Sequence, residues 1–233
     1  ETLKTARLIQ MDIEDGKVVL PQTIDGYSVV EIGDGTPVLQ DKQRLMMKSL
    51  VIPEGVVKIS GNAFSKCSYT IEVVFHKSLR YIGNNAFLEC TSLKNIHLYE
   101  NILEIGDRAF EYCQSIHKVD IQSTKVSIGK HAFNTTYSGE SNFTDINVPL
   151  KISGKWGEGC FEGYRGKTFL WKEFNGIESC QGILNGNMYV KNIVIPDMIK
   201  NVYIGMNSIG TYLPIKRLVI PEVVDKFEME QQP

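Results

Sequence analysis

The sequence lacks the features of several functional classes. Its 233 residues contain no run of about 18 apolar residues, so no membrane-spanning helix is predicted. The 25 basic and 27 acidic residues leave a formal net charge of −2, which gives little electrostatic support for a nucleic-acid partner. No G-x-S-x-G, H-E-x-x-H or P-loop pattern occurs. We therefore predict that the protein is not an enzyme and has no catalytic or cofactor-binding residues.

Histidine is scarce, and the cysteines lack the spacing of a metal site. The five cysteines form no C-x-x-C pair of the kind that structural zinc requires. His76 and His97 fall on neighbouring strands of the repeat described below, as diagonal neighbours about 7–8 Å apart. A metal ion could bridge that distance, but two histidines on an exposed sheet are usually only solvated side chains. We therefore predict no metal site.

A repeat of 23 residues dominates the chain. Phenylalanine recurs at Phe64, Phe87, Phe110 and Phe133, each time at the end of an Ile-x-x-x-Ala-Phe segment. A fixed period of this length is typical of a solenoid, in which each unit buries its apolar face only against its neighbours. The same step separates the members of three other columns: Cys67, Cys90 and Cys113; Leu50, Val73, Ile96 and Val119; Ile52, Phe75, Leu98 and Ile121.

The repeat reads roughly L-x-I-P-x-x-[VL]-x-x-I-G-x-x-A-F-x-x-C and resembles the BspA-type leucine-rich repeat family. The residues that carry the resemblance begin with Leu50 to Pro53 and include Ile59, Phe64 and Cys67, and the pattern extends over about residues 16–227. The resemblance implies a secreted or cell-surface bacterial protein. It also implies adhesin-like binding of a protein or glycan, host extracellular proteins among them, and no catalytic residues.

These observations predict an α/β solenoid. We expect a curved right-handed array with a parallel sheet on its concave face and short helical turns or irregular structure on its convex face. In each strand Leu50 and its equivalents point inward and Val51 and its equivalents point outward, because successive side chains alternate. Nine strands are expected, near positions 20, 52, 75, 98, 121, 148, 171, 195 and 220.

The chain is predicted to be one solenoid over residues 1–227, followed by a polar tail at 228–233. Within the solenoid, residues 1–33 supply an N-terminal cap and the first repeat, 34–48 are an insertion, and 49–227 hold the other repeats. Because Glu1 is not an initiator methionine and no signal-peptide pattern follows it, we expect a processed chain.

The N-terminal cap is predicted to be a hairpin. Ile9, Met11 and Ile13 alternate with polar residues, which is typical of a short strand. The Asp15-Gly16 pair is a strong turn signal because both residues tolerate positive φ. It leads into the strand near Leu20.

The candidate binding site is the strand face, which we define as the outward-facing side of the first strand of each repeat. Its ends are aliphatic and its middle carries both charges, imidazole and phenol. This mixture suits recognition of a protein or glycan, with Tyr99 as the best single anchor. The predicted partner-binding residues are Tyr99, His97, Asp120, Lys118, His76, Asn95, Gln122, Asp145 and Asn147.

Two functions remain open from the sequence. The first is a non-enzymatic binding module that uses the strand face. The second is a structural spacer or display segment of a longer surface protein, with no specific ligand. The columns that define the repeat are core positions, so they do not distinguish the two.

The five cysteines are predicted to be free thiols. Cys67, Cys90 and Cys113 should form a ladder inside the solenoid, with side chains pointing inward in parallel rather than toward one another. Unfolding the unreduced protein, alkylating it and weighing it should therefore give five labels. A mass deficit of about two daltons with three labels would instead indicate a disulfide.

Overall fold

The structure is a computed structural model that describes residues 4–136, 141–175, 179–180, 182–184, 187, 189–204 and 216–229. Within them the chain winds into a parallel-strand β-solenoid of about eight turns with almost no helix. Its elements are β1 (Thr5–Leu8), β2 (Lys17–Val19), β3 (Thr23–Ile24), β4 (Tyr27–Ile32), α1 (Asp41–Arg44), β5 (Ser49–Val51), β6 (Lys58–Ile59), β7 (Glu72–Val74), β8 (Tyr81–Ile82), β9 (Asn95–Leu98), β10 (Glu104–Ile105), β11 (Lys118–Ile121), β12 (Ser127–Ile128), β13 (Asp145–Asn147), β14 (Lys151–Ile152), β15 (Thr168–Leu170), β16 (Glu173–Phe174), β17 (Asn192–Val194), β18 (Asn201–Ile204), β19 (Arg217–Val219) and β20 (Lys226–Met229).

The first strand of each repeat forms one strand line, and the described chain contains all nine strands that the sequence predicts. Leu50 lies opposite Val73, and Ile96 opposite Val119, so the predicted columns are confirmed as neighbours in parallel register. Leu50 is buried while Val51 is partly exposed, as the alternation requires. The line is not one continuous sheet, however. It consists of three sheets, β2-β5-β7, β9-β11-β13 and β15-β17-β19.

A second strand line was not predicted. β1, β4, β6, β8, β10 and β12 pair in parallel along it, and β14-β16 and β18-β20 form two further parallel pairs. Ile59, Ile82 and Ile105 occupy neighbouring positions in this sheet and are fully buried or nearly so. Most of these strands contain only two residues, so the sequence shows a single apolar position per repeat and no alternation that would indicate a strand.

The α/β class and the helical turns predicted for the Ala-Phe segments are wrong. In these segments alternate N–H groups donate to the carbonyl groups of the next repeat, as from Phe64 to Ala86 at 2.8 Å. Those groups are then not available for the i to i−4 bonds of a helix. Asn62 and Lys66 also have φ values of 59° and 62°, which a right-handed helix excludes. The one α-helix in the described part of the chain is the four-residue α1.

The phenylalanine column is stacked and buried, as predicted. Phe64, Phe87, Phe110 and Phe133 have no exposed surface. Their ring centroids are separated by 5.4, 5.1 and 5.2 Å, with interplanar angles of 18°, 0° and 4°. Phe161 extends the stack at 5.6 Å. The spacing is close to the distance between adjacent strands, so one aromatic ring fits each repeat.

The cysteines are buried free thiols, as predicted. The Cys90 thiol donates to the Phe64 carbonyl at 3.3 Å, and the Cys113 thiol donates to the Phe87 carbonyl at 3.2 Å. Each thiol in this part of the ladder thus bonds to the backbone of the preceding repeat. Burial raises the pKa of the Cys160 thiol, which keeps it protonated and unreactive.

The insertion at 34–48 closes the N-terminal end of the Ala-Phe segments. The carbonyl groups of Ala63 and Ser65 have no preceding Ala-Phe segment to supply their donors. Val38 N–H donates to the Ala63 carbonyl at 2.9 Å, and the Arg44 guanidinium donates to the Ser65 carbonyl at 3.4 Å. Val38 and Met47 are fully buried, so the insertion also covers apolar surface. The insertion is therefore a cap for this side of the solenoid.

The predicted N-terminal hairpin is wrong. Residues 9–13 form no strand, and β1 instead lies parallel to β4 at the end of the second strand line. The hairpin that does form joins β3 to β4. Its turn is Asp25-Gly26, with φ values of 51° and 78°. Both Asp-Gly pairs carry the same local signal. Only Asp25-Gly26 stands between two segments that can pair.

The C-terminal boundary also differs from the prediction. The polar tail was placed at 228–233, but β20 includes Glu228 and Met229 and pairs in parallel with β18. The last repeat therefore contains both of its strands.

A glycine follows each of the strands β8, β10 and β12, and the close approach of the preceding repeat requires it there. A Cβ atom on Gly83 would lie 2.5 Å from the Gly61 nitrogen and 2.8 Å from the Ser60 carbonyl carbon. Both are backbone atoms of the preceding repeat. We expect Gly83→Ala to lower the free energy of unfolding by about 1–3 kcal/mol, measured by urea denaturation.

Ser60 occupies the same column one repeat earlier and already carries a Cβ atom. Ser60→Ala removes only its hydrogen bond to Glu31 and should cost about 1 kcal/mol or less. Equal stability of Gly83→Ala and the parent would contradict the close approach of the two repeats.

Candidate functional site

Three of the predicted residues form a hydrogen-bonded row across the strand face. His97, Asp120 and Asn147 lie side by side in β9, β11 and β13. The His97 Nδ1 atom is 2.8 Å from one oxygen of Asp120, and the Asn147 side-chain amide donates to the other at 2.7 Å.

Tyr99 lies directly beside this row. Its ring meets the His97 ring edge-on, with centroids 4.7 Å apart and an interplanar angle of 86°. Because Asp120 fixes the imidazole and the imidazole packs on the phenol, the orientation of Tyr99 depends on the row. The structure therefore brings together the predicted anchor, Tyr99, and its predicted neighbours His97 and Asp120.

A second row contains Asn95, Lys118 and Asp145. The Lys118 ammonium is 3.5 Å from the Asp145 carboxylate, and both side chains are about half exposed. Such a pair contributes about 0–1 kcal/mol and leaves both groups accessible to a partner. Gln122 lies just beyond the end of β11 and is exposed.

His76 is separated from the other predicted residues. It follows β7, and its Nδ1 atom is 4.0 Å from a Glu54 oxygen and has no hydrogen-bond partner. His97 is bonded to Asp120, so the two histidines face different carboxylates. Within the described residues, no group of three or more His, Cys, Asp or Glu side chains is placed to hold a metal ion.

The strand face divides twice, between β7 and β9 and between β13 and β15, and we call the first of these divisions the seam. The Lys94 N–H donates to the Ile71 carbonyl at 3.2 Å, but β7 and β9 themselves are not hydrogen-bonded and belong to different sheets. A groove of about 350 Å³ opens there. It is lined by Ile71, Glu72, Val73, Val74, Phe75, Lys94, Asn95, His97 and Tyr99.

The side of the seam toward the N-terminus is apolar. Tyr69, Ile71 and Val74 are exposed to 60, 45 and 41 %. The residues in the same columns one repeat later are Ser92, Lys94 and His97, so the character of the surface changes at the seam. Val74 is the equivalent of Val51 one repeat later and was expected to point outward, whereas Tyr69 and Ile71 precede the strand and were not predicted to be part of the surface. Comparing every column of neighbouring repeats would have found them.

A larger groove lies elsewhere, along β10 and β12, and has a volume of about 690 Å³. Glycines, including Gly106 and Gly129, form part of its lining. The Asp107 carboxylate at its rim accepts from the Lys130 N–H at 2.8 Å, so this side chain links two repeats. Its rim carries both charges and no exposed aromatic ring, and its glycines are explained by close packing of repeats.

A second group of titratable side chains joins three repeats on the Ala-Phe side. His131 Nδ1 is 3.2 Å from a Glu162 oxygen, and the Asn134 amide donates to Glu111 at 3.5 Å. Burial raises the pKa of Glu111, although Arg108 and His131 oppose the shift. These side chains bond mainly to one another, which indicates a structural role.

Lys172 is a buried cation that the sequence analysis did not identify. It is 4 % exposed, and its ammonium donates to the Val148 carbonyl at 3.3 Å. Burial lowers the pKa of Lys172 from 10.5 to about 8. Lys172 occupies the position that Pro149 has one repeat earlier. Nothing in the replacement of a proline by a lysine indicates that the side chain is buried.

Comparisons with known proteins identify related sequences and folds. The family described as the BspA type Leucine rich repeat region matches residues 42–165 in six copies. A T. pallidum leucine-rich repeat protein is 24 % identical, with a TM-score of 0.50 over 64 % of this chain and 76 % of its own. No curated protein matches the sequence.

Two more solved structures show weaker likeness. A leucine-rich repeat protein from Bacteroides ovatus is 17 % identical over 90 % of this chain and 70 % of its own, with a TM-score of 0.46. The pneumococcal vaccine antigen PcpA is 15 % identical over 94 % of this chain and 64 % of its own, with a TM-score of 0.44.

The buried Lys172 predicts that stability rises with pH. Between pH 8 and pH 10.5 the unfolded chain binds a proton that the folded chain does not, so the free energy of unfolding increases with pH in this window. The gain should be about 3 kcal/mol at most. Lys172→Met should therefore exceed the parent in stability at pH 7, with a difference that shrinks toward pH 10.5.

Urea denaturation at several pH values measures both proteins. The exposed Lys191, replaced in the same way, is the matched control and should follow the parent at every pH. The same pH slope for Lys172→Met and the parent would show that Lys172 is not the titrating group.

Proposed function

Because the chain belongs to the BspA-type leucine-rich repeat family, we propose that it is a non-enzymatic interaction module of a secreted or cell-surface bacterial protein. Its strand face, taken as the concave side of a curved right-handed array, binds a protein or glycan partner in an adhesin-like role. Host extracellular proteins are the first class of partner to test.

The seam is the observation that carries this proposal. The groove that opens between β7 and β9 has a volume of about 350 Å³, and apolar, aromatic and charged side chains line it together. A side chain or sugar ring of a partner can be desolvated in such a groove. Interaction energy concentrates at sites of this kind, where aromatic side chains are held in place by their neighbours.

The apolar residues beside the seam support the same function. Valine on a sheet surface needs no functional explanation, because valine favours strands. Tyr69 and Ile71 precede β7 and lie outside any strand, so strand preference does not account for them. Exposed apolar side chains grouped beside a polar row are typical of an interaction surface.

The groove residues favour binding over catalysis. The His97–Asp120 pair resembles two members of a hydrolytic triad, but such a triad also needs a nucleophile beside the imidazole. No Ser, Thr or Cys is among the residues that line the groove. The pair instead fixes the imidazole and aligns Tyr99.

No helix in the described part of the chain is long and apolar enough to cross a membrane.

Tyr99→Ala should weaken partner binding without unfolding the protein. Tyr99 supports no core residue, so the free energy of unfolding should change by less than about 0.5 kcal/mol. As an anchor in the groove, its loss should weaken binding by about 2 kcal/mol, or about thirtyfold. Capture from a panel of extracellular matrix and serum proteins identifies the partner, and titration of the purified pair gives the affinity.

Tyr81→Ala is the control, because Tyr81 is an exposed tyrosine on the second strand line, away from the strand face. It should retain the affinity of the parent, whereas Tyr99→Ala together with Asp120→Ala should not bind. A captured partner that binds all these variants equally would place the interaction away from the strand face. Failure of every protein and glycan tested to bind the parent would favour the spacer.

A further inference from the structure

We propose that the outer edge of β2 binds an extended basic polypeptide segment as an added strand. This surface lies at the N-terminal end of the first strand line and does not depend on the seam. The acceptor would be the backbone of Lys17 to Val19, and the walls of the site would be the segment from Met11 to Asp15.

The backbone of β2 has free hydrogen-bonding groups on one side. In a parallel pair, alternate residues direct their N–H and C=O groups to the same neighbour. The Gly16 carbonyl accepts from Ser49 and the Leu20 N–H donates to Val51, so this set of residues faces β5. The Lys17 and Val19 groups therefore face outward.

Three outward groups are available to a partner. The Lys17 N–H already donates to the Asp15 carboxylate at 2.8 Å. Within the described chain, no backbone hydrogen bond joins β2 to residues 9–15. The Lys17 carbonyl and the Val19 N–H and carbonyl therefore remain. Pro21, the next residue in the outward-facing set, has no N–H, so Val19 is the last residue that can offer both an N–H and a carbonyl to an added strand.

A groove beside this edge has an apolar floor. Its volume is about 360 Å³. Leu8, Val18 and Leu20 form part of its lining and belong to the apolar core. An extended peptide can place one apolar side chain on this floor while its backbone pairs with Val19. Strand addition to an exposed edge is a common mode of peptide recognition.

The charge of the groove determines which peptide fits. Asp12, Glu14 and Asp15 stand along the outer wall, and Lys17 is the one cation among the lining residues. The Gln43 amide donates to Asp12 at 2.8 Å, so this carboxylate is held in place. A segment that alternates Lys or Arg with an apolar residue would match this wall and the floor together.

A second copy of the chain fits less well. Stacking the C-terminal strand of one copy on β2 of another, in continued register, would place Arg217 beside Lys17, because both occupy one column of the first strand line. Like charges directly opposite each other destabilise a sheet. Continued stacking of a second copy on β2 is therefore disfavoured.

The test is a binding titration in which the protein is added to a fluorescently labelled peptide of alternating valine and lysine. The fluorescence anisotropy of the peptide measures binding. Val19→Pro removes the outward N–H and leaves the β2–β5 hydrogen bonds intact, which is where an edge strand tolerates proline. We expect Val19→Pro to lower the affinity about tenfold or more, and Val19→Ala, which keeps the N–H, to retain it. Glu14→Lys should also lower it. A peptide of alternating valine and glutamate should not bind.

Amide exchange of the parent gives an independent readout if Val19→Pro is unstable. On saturation with the basic peptide, the Val19 amide should exchange at least about tenfold more slowly, because it becomes hydrogen-bonded. Binding that is equal in Val19→Pro and Val19→Ala, or that leaves the Val19 amide unprotected, would show only charge attraction and overturn the proposal. Failure of the peptide to bind the parent would overturn it as well. Tyr99→Ala should bind the peptide normally, which separates this site from the strand face.

Discussion

The fold depends on hydrogen bonds and ring contacts between successive repeats. A single repeat has strands of two to six residues and cannot bury its own phenylalanine. When repeats stack, the same residue of each meets its equivalent in the next, as in Phe87 on Phe110 at 5.1 Å. The strand columns, the hydrogen bonds between Ala-Phe segments and the thiol bonds all result from this stacking of equivalent residues along the axis. The ends of the solenoid have no neighbouring repeat and need separate cover, which the insertion at 34–48 supplies on one side.

The 23-residue period of the sequence predicts the structural features that recur in every turn of the solenoid. The nine strands, the buried phenylalanines and the cysteine ladder were all available from residue spacing. The Ala-Phe segment was misread because Phe64 and Cys67, three apart, also suit one face of a helix. Hydrogen bonds to the next repeat, such as Phe64 to Ala86, decide the conformation, and they depend on the assembled array.

The candidate site was predicted only where it follows the columns. The neighbourhood of His97, Asp120 and Asn147 follows from residue spacing, and the structure adds the hydrogen bonds that fix them. The seam follows from no column, because Val73 and Ile96 have the same apolar character as the residues of paired strands. A break in the hydrogen-bond ladder is set by small differences in packing that the residue types do not express.

The peptide groups of the Ala-Phe segments produce a net dipole along the axis of the solenoid. The Ala86 carbonyl accepts from the preceding repeat, and the adjoining Phe87 N–H donates to the following one, so their shared peptide dipole lies along the axis. Equivalent peptides repeat this orientation, as in a helix, and the dipoles add. The carbonyl end is the negative pole, and the Arg44 cation lies there, against Ser65. The two ends of the Ala-Phe segments therefore differ in electrostatic potential as well as in shape. The carbonyl end favours cations, and the N–H end favours anions.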